Sequence, residues 1–168
     1  MSILISPMIV PLIITAAGMF FFYARVNLVY TFTGVILAHV ALATPFVVIT
    51  VTATLVGFDM NMVKAAQSLG ARPIRTFFKV IMPLILPGVI SGALFAFITS
   101  FDEVVVVMFM ASIDQLTIPK QMWAGIRQEI SPVILCMATC LVLLSIILLT
   151  TVELLRRRSE KLRGIKVK

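Results

Sequence analysis

Residues 132–152 read PVILCMATCLVLLSIILLTTV, a run of 21 residues without a charged side chain. At about 1.5 Å per residue, a helix of this length crosses the roughly 30 Å hydrocarbon core of a bilayer. Ser131 and Pro132 are typical of a helix amino terminus, where a hydroxyl caps the first turn and a proline follows it. The run therefore predicts a membrane-spanning helix.

Three more apolar runs precede it, at residues 3–23, 29–56 and 80–112. The 168-residue chain is 61% hydrophobic and 12% charged, with a mean hydropathy of +1.14. A globular domain has about 45–50% apolar and about 25% charged residues, so this composition excludes a soluble enzyme. We predict an all-α, polytopic transmembrane helix bundle with about four crossings, which forms a single domain over residues 1–168. Residues 25–28 join the first two runs as a tight hairpin.

The basic residues predict the orientation of the chain. Eleven of the 14 Lys and Arg residues lie either in the connection 57–79 or after Val152. Two crossings separate these segments, so both lie on one side, which the positive-inside rule makes cytoplasmic. The net charge of +7 is thus explained by contact with membrane lipid rather than with nucleic acid. We expect the basic tail 153–168, and with it the carboxyl terminus, to be cytoplasmic.

The chain offers little for metal or covalent chemistry, and we expect no cofactor, metal site or catalytic residue. Cys136 and Cys140 lie on one helical face inside an apolar run and are interpreted as packing residues rather than as metal or redox groups. His39 is interpreted as an interhelical hydrogen-bonding group rather than as a ligand, because Leu42 and Ala43 occupy the i+3 and i+4 positions.

Residues 59–83, DMNMVKAAQSLGARPIRTFFKVIMP, predict two short helices joined by an elbow. Asp59 is suited to cap the first helix, Gly70 to end it in a left-handed conformation, and Pro73 to begin the second. An apolar face and a basic face predict that the second helix lies along the inner membrane surface. These faces comprise Ile74, Phe77, Phe78 and Ile81 on one side, and Arg72, Arg75 and Lys79 on the other.

This segment resembles the EAA loop of ABC importer permeases, whose pattern is Glu-Ala-Ala, three residues, Gly, nine residues, Ile, one residue and Leu-Pro. Ala65, Ala66, Gly70 and Pro83 fall in register, whereas Lys64 replaces the Glu and reverses its charge. Val80 and Met82 are conservative replacements for Ile and Leu. The segments LPGVISGALFAFITSFDEVVV at 86–106, TIP at 117–119 and IRQEISP at 126–132 resemble the spermidine/putrescine branch of that family.

The resemblance implies the permease subunit of a type I importer in the bacterial inner membrane. Residues 57–82 would be its cytoplasmic coupling loop, seated on an ATP-binding subunit through Lys64, Ala65, Ala66, Gly70 and Pro83. Because no P-loop occurs in the sequence, ATP hydrolysis is expected on that separate subunit. A second, related permease subunit that completes a heterodimer and a periplasmic solute-binding protein are the other implied partners.

Two questions remain open from the sequence. Family permeases usually have six crossings and the four runs match the last four, so the chain is either a fragment or begins natively at Met1. The cargo could be a polyamine or another solute such as ferric ion or sulfate. A nucleotide-independent channel or scaffold bundle is the alternative of a different class.

Small residues recur every fourth position in the third run, at Gly88, Gly92, Ala96 and Ser100. Such a ridge predicts a close helix crossing, either within this subunit or with the second permease. Pro83 and Pro87 near the start of this run could form a hinge or simply mark the first turns of the helix.

Asp102 and Glu103 are the only acidic pair within an apolar run. A carboxylate at mid-bilayer costs about 2.5–3.5 kcal/mol, so the pair should face protein or water. On a continuous helix Glu103 shares the face of Gly92, which makes it the preferred cation contact in a translocation pathway, and Asp102 is expected to cap the following segment. The alternative is that a helix end simply reaches water here.

Overall fold

The computed structural model of the protein describes residues 2–128 and 131–162. Within these residues the chain forms nine α-helices and one π-helical turn. Their bounds are α1 Ser2–Ile9, α2 Leu12–Arg25, α3 Phe32–Val56, α4 Met60–Ser68, α5 Pro73–Thr76, the π-helical turn Phe77–Ile81, α6 Met82–Phe101, α7 Val105–Met110, α8 Ile118–Gln128 and α9 Pro132–Leu162.

The predicted all-α membrane bundle is confirmed, although the apolar runs do not each form one spanning helix. In the described part of the chain, three helices are long and apolar enough to cross a bilayer: Phe32–Val56, Pro73–Phe101 and Pro132–Thr151. The helix that contains the last of these spans continues through Glu153 to Leu162, so the described part of the basic tail is helical. Residues 163–168 lie outside the described residues.

The first apolar run does not form one long helix. The run divides into α1 and the 14-residue α2, with the break at Val10 and Pro11. Proline has no backbone N–H and disfavours helical geometry in the residue before it, which explains the interruption. The two pieces pack on different neighbours, α1 on α3 and α2 on α7.

The expected tight turn after the first run is present and has a local cause. Asn27 adopts a left-handed φ of 55°, and the N–H of Leu28 bonds to the carbonyl of Tyr23 at 2.9 Å. This bond is the long one of a Schellman-type helix ending. Thr31 then starts α3 by accepting a hydrogen bond from the N–H of Gly34 at 3.0 Å.

Two packing units hold the bundle together. The antiparallel helices α3 and α6 make the most extensive contact in the described fold, and α9 rests against α6 and α8. A small core joins α2, α3 and α7 beside the amino-terminal half of α3. It consists of the buried residues Ala16, Ala38, Leu42, Val106 and Met110.

The predicted second loop helix does not exist as a separate surface helix. Residues from Pro73 to Phe101 form one continuous helix that includes the π-helical turn. In that turn the N–H of Met82 bonds to the carbonyl of Phe77, five residues back. The wider turn precedes Pro83, whose ring would clash with the carbonyl of Lys79 in a regular α-helix. The helix therefore continues without a break from the loop into the span.

Candidate functional site

The loop between α3 and α6 forms the helix and elbow that the sequence predicts. The carboxylate of Asp59 caps α4 by accepting a hydrogen bond from the N–H of Asn61 at 2.9 Å. At the other end, Gly70 has a φ of +79°, and Pro73 occupies the first turn of α5. The N–H groups of Gly70 and Ala71 bond to the carbonyls of Gln67 at 2.9 Å and Ala66 at 3.0 Å. This is a complete Schellman motif, which only a left-handed residue at position 70 allows.

The residues predicted to dock on a partner do not all face the same way. Lys64, Ala65 and Gly70 are exposed, whereas Ala66 is half-buried beside the buried Val63. The helix α4 lies against α5 and the π-helical turn, so this buried side faces its own chain. The outward side of α4 and the elbow are therefore free for another protein, with Leu69 at the tip 89% exposed.

Pro83 lies apart from the elbow, in the first turn of α6. It is half-buried and follows the π-helical turn directly. The structure thus groups Lys64, Ala65, Ala66 and Gly70 in the loop but places Pro83 where the loop joins the span.

The small-residue ridge packs against α3 of the same chain, which answers the question that the sequence left open. A Cβ atom added at Gly92 would stand 3.0 Å from the Cα of Val47 and would overlap the hydroxyl of Thr50. One added at Gly88 would overlap the side chain of Thr54. Both threonine hydroxyls donate to carbonyls within α3, to Phe46 at 2.9 Å and to Thr50 at 2.9 Å. The glycines of α6 therefore pack against threonines of α3 whose hydroxyl groups already donate hydrogen bonds within their own helix.

The same ridge ends in a polar contact. A hydrogen bond of 2.8 Å joins Nδ1 of His39 in α3 and Oγ of Ser100 in α6. The half-buried Ala96 lies between this contact and the glycine crossing. The interpretation of His39 as an interhelical hydrogen-bonding group is confirmed.

The carboxylate pair is not on the face that a continuous helix would give it. The helix α6 ends at Phe101 with Asp102 as its C-cap, and α7 begins only at Val105. The assignment of Glu103 to the helical face of Gly92 is therefore wrong, because the chain leaves the helix one residue earlier. Glu103 is nevertheless buried, with 6% of its surface exposed.

The capping role expected of Asp102 belongs instead to Glu103. Its Oε1 accepts a hydrogen bond of 2.7 Å from the N–H of Val106 in the first turn of α7. Asp102 is exposed. The alternative of a helix end that simply reaches water is therefore wrong for Glu103, which is buried.

Each carboxylate lines a different cavity. Glu103 lines a cavity of about 570 Å³ together with His39 and Ser100. Asp102 lines a cavity of about 550 Å³ between α6, α8 and α9, whose other lining residues include Trp123 and Met122. The structure thus places polar groups at two largely apolar cavities beside the end of α6.

The mode of attachment of α7 was missed by sequence reasoning. Nζ of Lys120 donates to the carbonyls of Ala111 at 3.3 Å and Ser112 at 3.4 Å, just past the carboxyl end of α7. The N–H of Tyr30, a residue with a left-handed φ of 62°, bonds to the carbonyl of Met110 at 2.9 Å. The sequence signal for this attachment was the acidic Glu103 before α7 and the basic Lys120 after it, because charges in that order complement a helix dipole.

Residues 2–128 and 131–162 contain no group of three or more His, Cys, Asp or Glu side chains that could hold a metal ion. Cys136 and Cys140 are free and exposed. The site is therefore made of the loop, the α3–α6 crossing, and the two cavities beside Asp102 and Glu103.

The chain is similar to known inner membrane components of transport systems. Residues 1–161 match the family described as binding-protein-dependent transport system inner membrane component. The spermidine/putrescine transport system permease protein PotC of Haemophilus influenzae is 32% identical over 153 residues, which cover 91% of this chain and 60% of that protein. PotC of Escherichia coli is 30% identical over 154 residues, 92% of this chain and 58% of the relative. The putrescine transport system permease protein PotI of Escherichia coli is 35% identical over 103 residues, 61% of this chain and 37% of the relative. The chain thus spans about three fifths of the length of the PotC proteins it matches.

Proposed function

Because this chain belongs to the family of binding-protein-dependent transport system inner membrane components, we propose that it is a permease subunit of an ATP-driven polyamine importer. The resemblance to ABC importer permeases of the spermidine/putrescine branch is confirmed by the family match and by the PotC relatives. The chain is a multi-pass integral membrane protein of that family. The cargo, partners and orientation that we propose for the chain are supported by the named relatives and by the site geometry.

The observation that carries the proposal is the burial of Glu103 beside a cavity. Burying a carboxylate is costly unless a cation or hydrogen-bond donors offset the loss of water. Within the described residues, Glu103 receives one backbone hydrogen bond, to Oε1, and forms no salt bridge. An ammonium group that enters the cavity would supply the missing positive charge. Glu103 is thus the main cation contact of the pathway, and Asp102 is a second one at the neighbouring cavity.

The loop 57–82 is proposed to couple the permease to a separate ATP-binding subunit. The exposed side chains of Lys64 and Ala65 and the exposed elbow at Gly70 form the contact surface, while Ala66 fixes α4 against the chain itself. Pro83 and the π-helical turn connect the loop to the spanning helix α6. Movement of the loop on ATP binding would then reach α6 directly. The permease itself performs no bond chemistry.

The remaining parts of the assembly are a second, different permease subunit and a periplasmic binding protein that delivers the cargo. The permease lies in the bacterial inner membrane, with the loop and the carboxyl terminus in the cytoplasm, as the positive-inside count indicates. Surrounding lipid covers the exposed apolar side chains of α9, such as Val133, Leu135 and Val142.

Uptake of radiolabelled spermidine and putrescine by the complete transporter tests the proposal. Glu103→Gln is expected to lower uptake at least tenfold while the amount of permease in the membrane stays unchanged. Dependence of uptake on ATP distinguishes an importer from a nucleotide-independent channel. Uptake of ferric ion or sulfate, with neither polyamine carried, would show that the cargo has been assigned wrongly.

A further inference from the structure

The two cavities that carry the carboxylates share one wall. Four residues line both of them: Phe97, Phe101, Pro119 and Leu141. The first two lie one turn apart on α6, and the others reach the wall from α8 and α9. The cavity of about 570 Å³ on one side carries Glu103, and that of about 550 Å³ on the other carries Asp102.

The two aromatic residues of this wall, Phe97 and Phe101, pack against each other through their rings. The rings of Phe97 and Phe101 are stacked, with centroids 5.3 Å apart and an interplanar angle of 27°. An aromatic face attracts an ammonium group within about 6 Å of its centroid, and the attraction grows when water is excluded. The wall therefore offers a cation-binding surface between two carboxylates.

We propose that Phe97 and Phe101 form a specificity wall that favours a linear triamine over a diamine. This inference rests on the proposed function, since it requires polyamine cargo. A triamine that passes from one cavity to the other along this wall would place its terminal ammonium groups towards Glu103 and Asp102 and its middle ammonium against the rings. A diamine in the same position has only methylene groups at the wall, so it gains nothing from the aromatic faces beyond apolar contact.

The test compares two cargoes in the complete transporter, with the same binding protein throughout. Because this binding protein presents both cargoes to every variant, a change in the ratio of the two kcat/KM values is caused by the permease. Phe101→Leu keeps an apolar side chain but removes the ring. It is expected to lower kcat/KM for spermidine about fivefold, the size of a cation–π contact, and kcat/KM for putrescine less than twofold. Phe97→Leu should act in the same direction.

Two matched variants separate recognition from folding. Phe101→Tyr keeps the aromatic face and should retain the preference for spermidine. Phe95→Leu changes a ring on the same helix that stacks on Phe46 and lies outside the linings of these two cavities, so it should leave the ratio unchanged. Equal losses for both cargoes in Phe101→Leu, or no loss for either, would overturn the specificity wall while leaving the importer proposal intact. Failure of the wild-type transporter to carry either polyamine would instead contradict the proposed function, and the inference with it.

Discussion

Gly92 on α6 lies so close to Val47 on α3 that a single added carbon would stand 3.0 Å from the Cα of Val47. That separation is shorter than an ordinary van der Waals contact, and the neighbouring atom belongs to the backbone, so it cannot rotate away. The contact explains why a spaced pair of glycines is needed within an otherwise bulky apolar run. It also fixes how α3 and α6 lie against each other.

Gly92→Ala is therefore expected to destabilise the bundle by about 1–3 kcal/mol, the usual cost of overpacking. Gly18→Ala is the matched control, because a Cβ there would have no atom within 4 Å. Unfolding of the purified protein in mixed micelles, followed by circular dichroism, measures the difference. Equal stability of the two variants would show that α3 can move away from α6 at little cost.

Gly70→Val is expected to abolish ATP-driven uptake while membrane insertion persists. Valine at a φ of +79° is strained, and the Schellman motif that ends α4 would be lost. Gly70→Asn should retain most of the uptake, because asparagine tolerates the left-handed region. Normal uptake by the valine variant would argue against the elbow as a coupling element.

Lys64→Glu tests the side chain that departs from the family's pattern. Lys64 is exposed, and no salt bridge to it is found among the described residues, so its reversal should leave the stability of the isolated chain within about 0.5 kcal/mol. A loss of uptake with unchanged stability would then indicate a partner surface adapted to a positive charge. Unchanged uptake would mean that the lysine is merely solvated. The ratio of uptake to ATP hydrolysis in the complete transporter separates these results.

Lys120→Met is expected to loosen α7 by removing the ammonium group that bonds to Ala111 and Ser112. Hydrogen bonds from a charged donor contribute about 1.5–3 kcal/mol, so a loss of unfolding free energy in that range is predicted. Arg127→Met removes an exposed cation from the same helix and serves as the control. Similar stability of both variants would mean that the bonds from Lys120 contribute little and that core packing, Tyr30 and Glu103 hold α7 in place.

The orientation of the chain can be read from two single cysteines in a background that lacks Cys136 and Cys140. Arg75 and Gln121 are both exposed, so each accepts a cysteine without loss of access, unlike the buried Thr76. An impermeant thiol reagent applied from outside should label position 121 and spare position 75. The opposite pattern would invert the proposed topology.

Local signals in the sequence were sufficient where the backbone itself determines the structure. The cap at Asp59, the left-handed Gly70 and the first-turn Pro73 all follow from single-residue conformational preferences. The ridge of Gly88 and Gly92 was equally predictable, although its partner helix was not, because a sequence of small residues does not say which surface approaches it.

Helix continuity was harder to predict, because it depends on competition between neighbouring turns. Pro11 interrupts an apolar run, whereas Pro83 is accommodated by a wider turn, and composition alone does not distinguish the two outcomes. The position of Glu103 depended on this continuity, since its face changes once α6 ends at Phe101. The bonds from Lys120 to the end of α7 also required the folded loop, because they join residues eight and nine positions apart.

The π-helical turn at Phe77–Ile81 constrains the number of residues in this segment more than their identity. Each residue of an α-helix advances its direction by about 100°, and a π turn accommodates one residue more. The position of α4 around the axis of α6 is therefore determined by the number of residues between Gly70 and Pro83. An insertion or deletion there would swing the loop around the helix, whereas most substitutions would not. Relatives of this chain should accordingly keep the count across this segment more strictly than its residues.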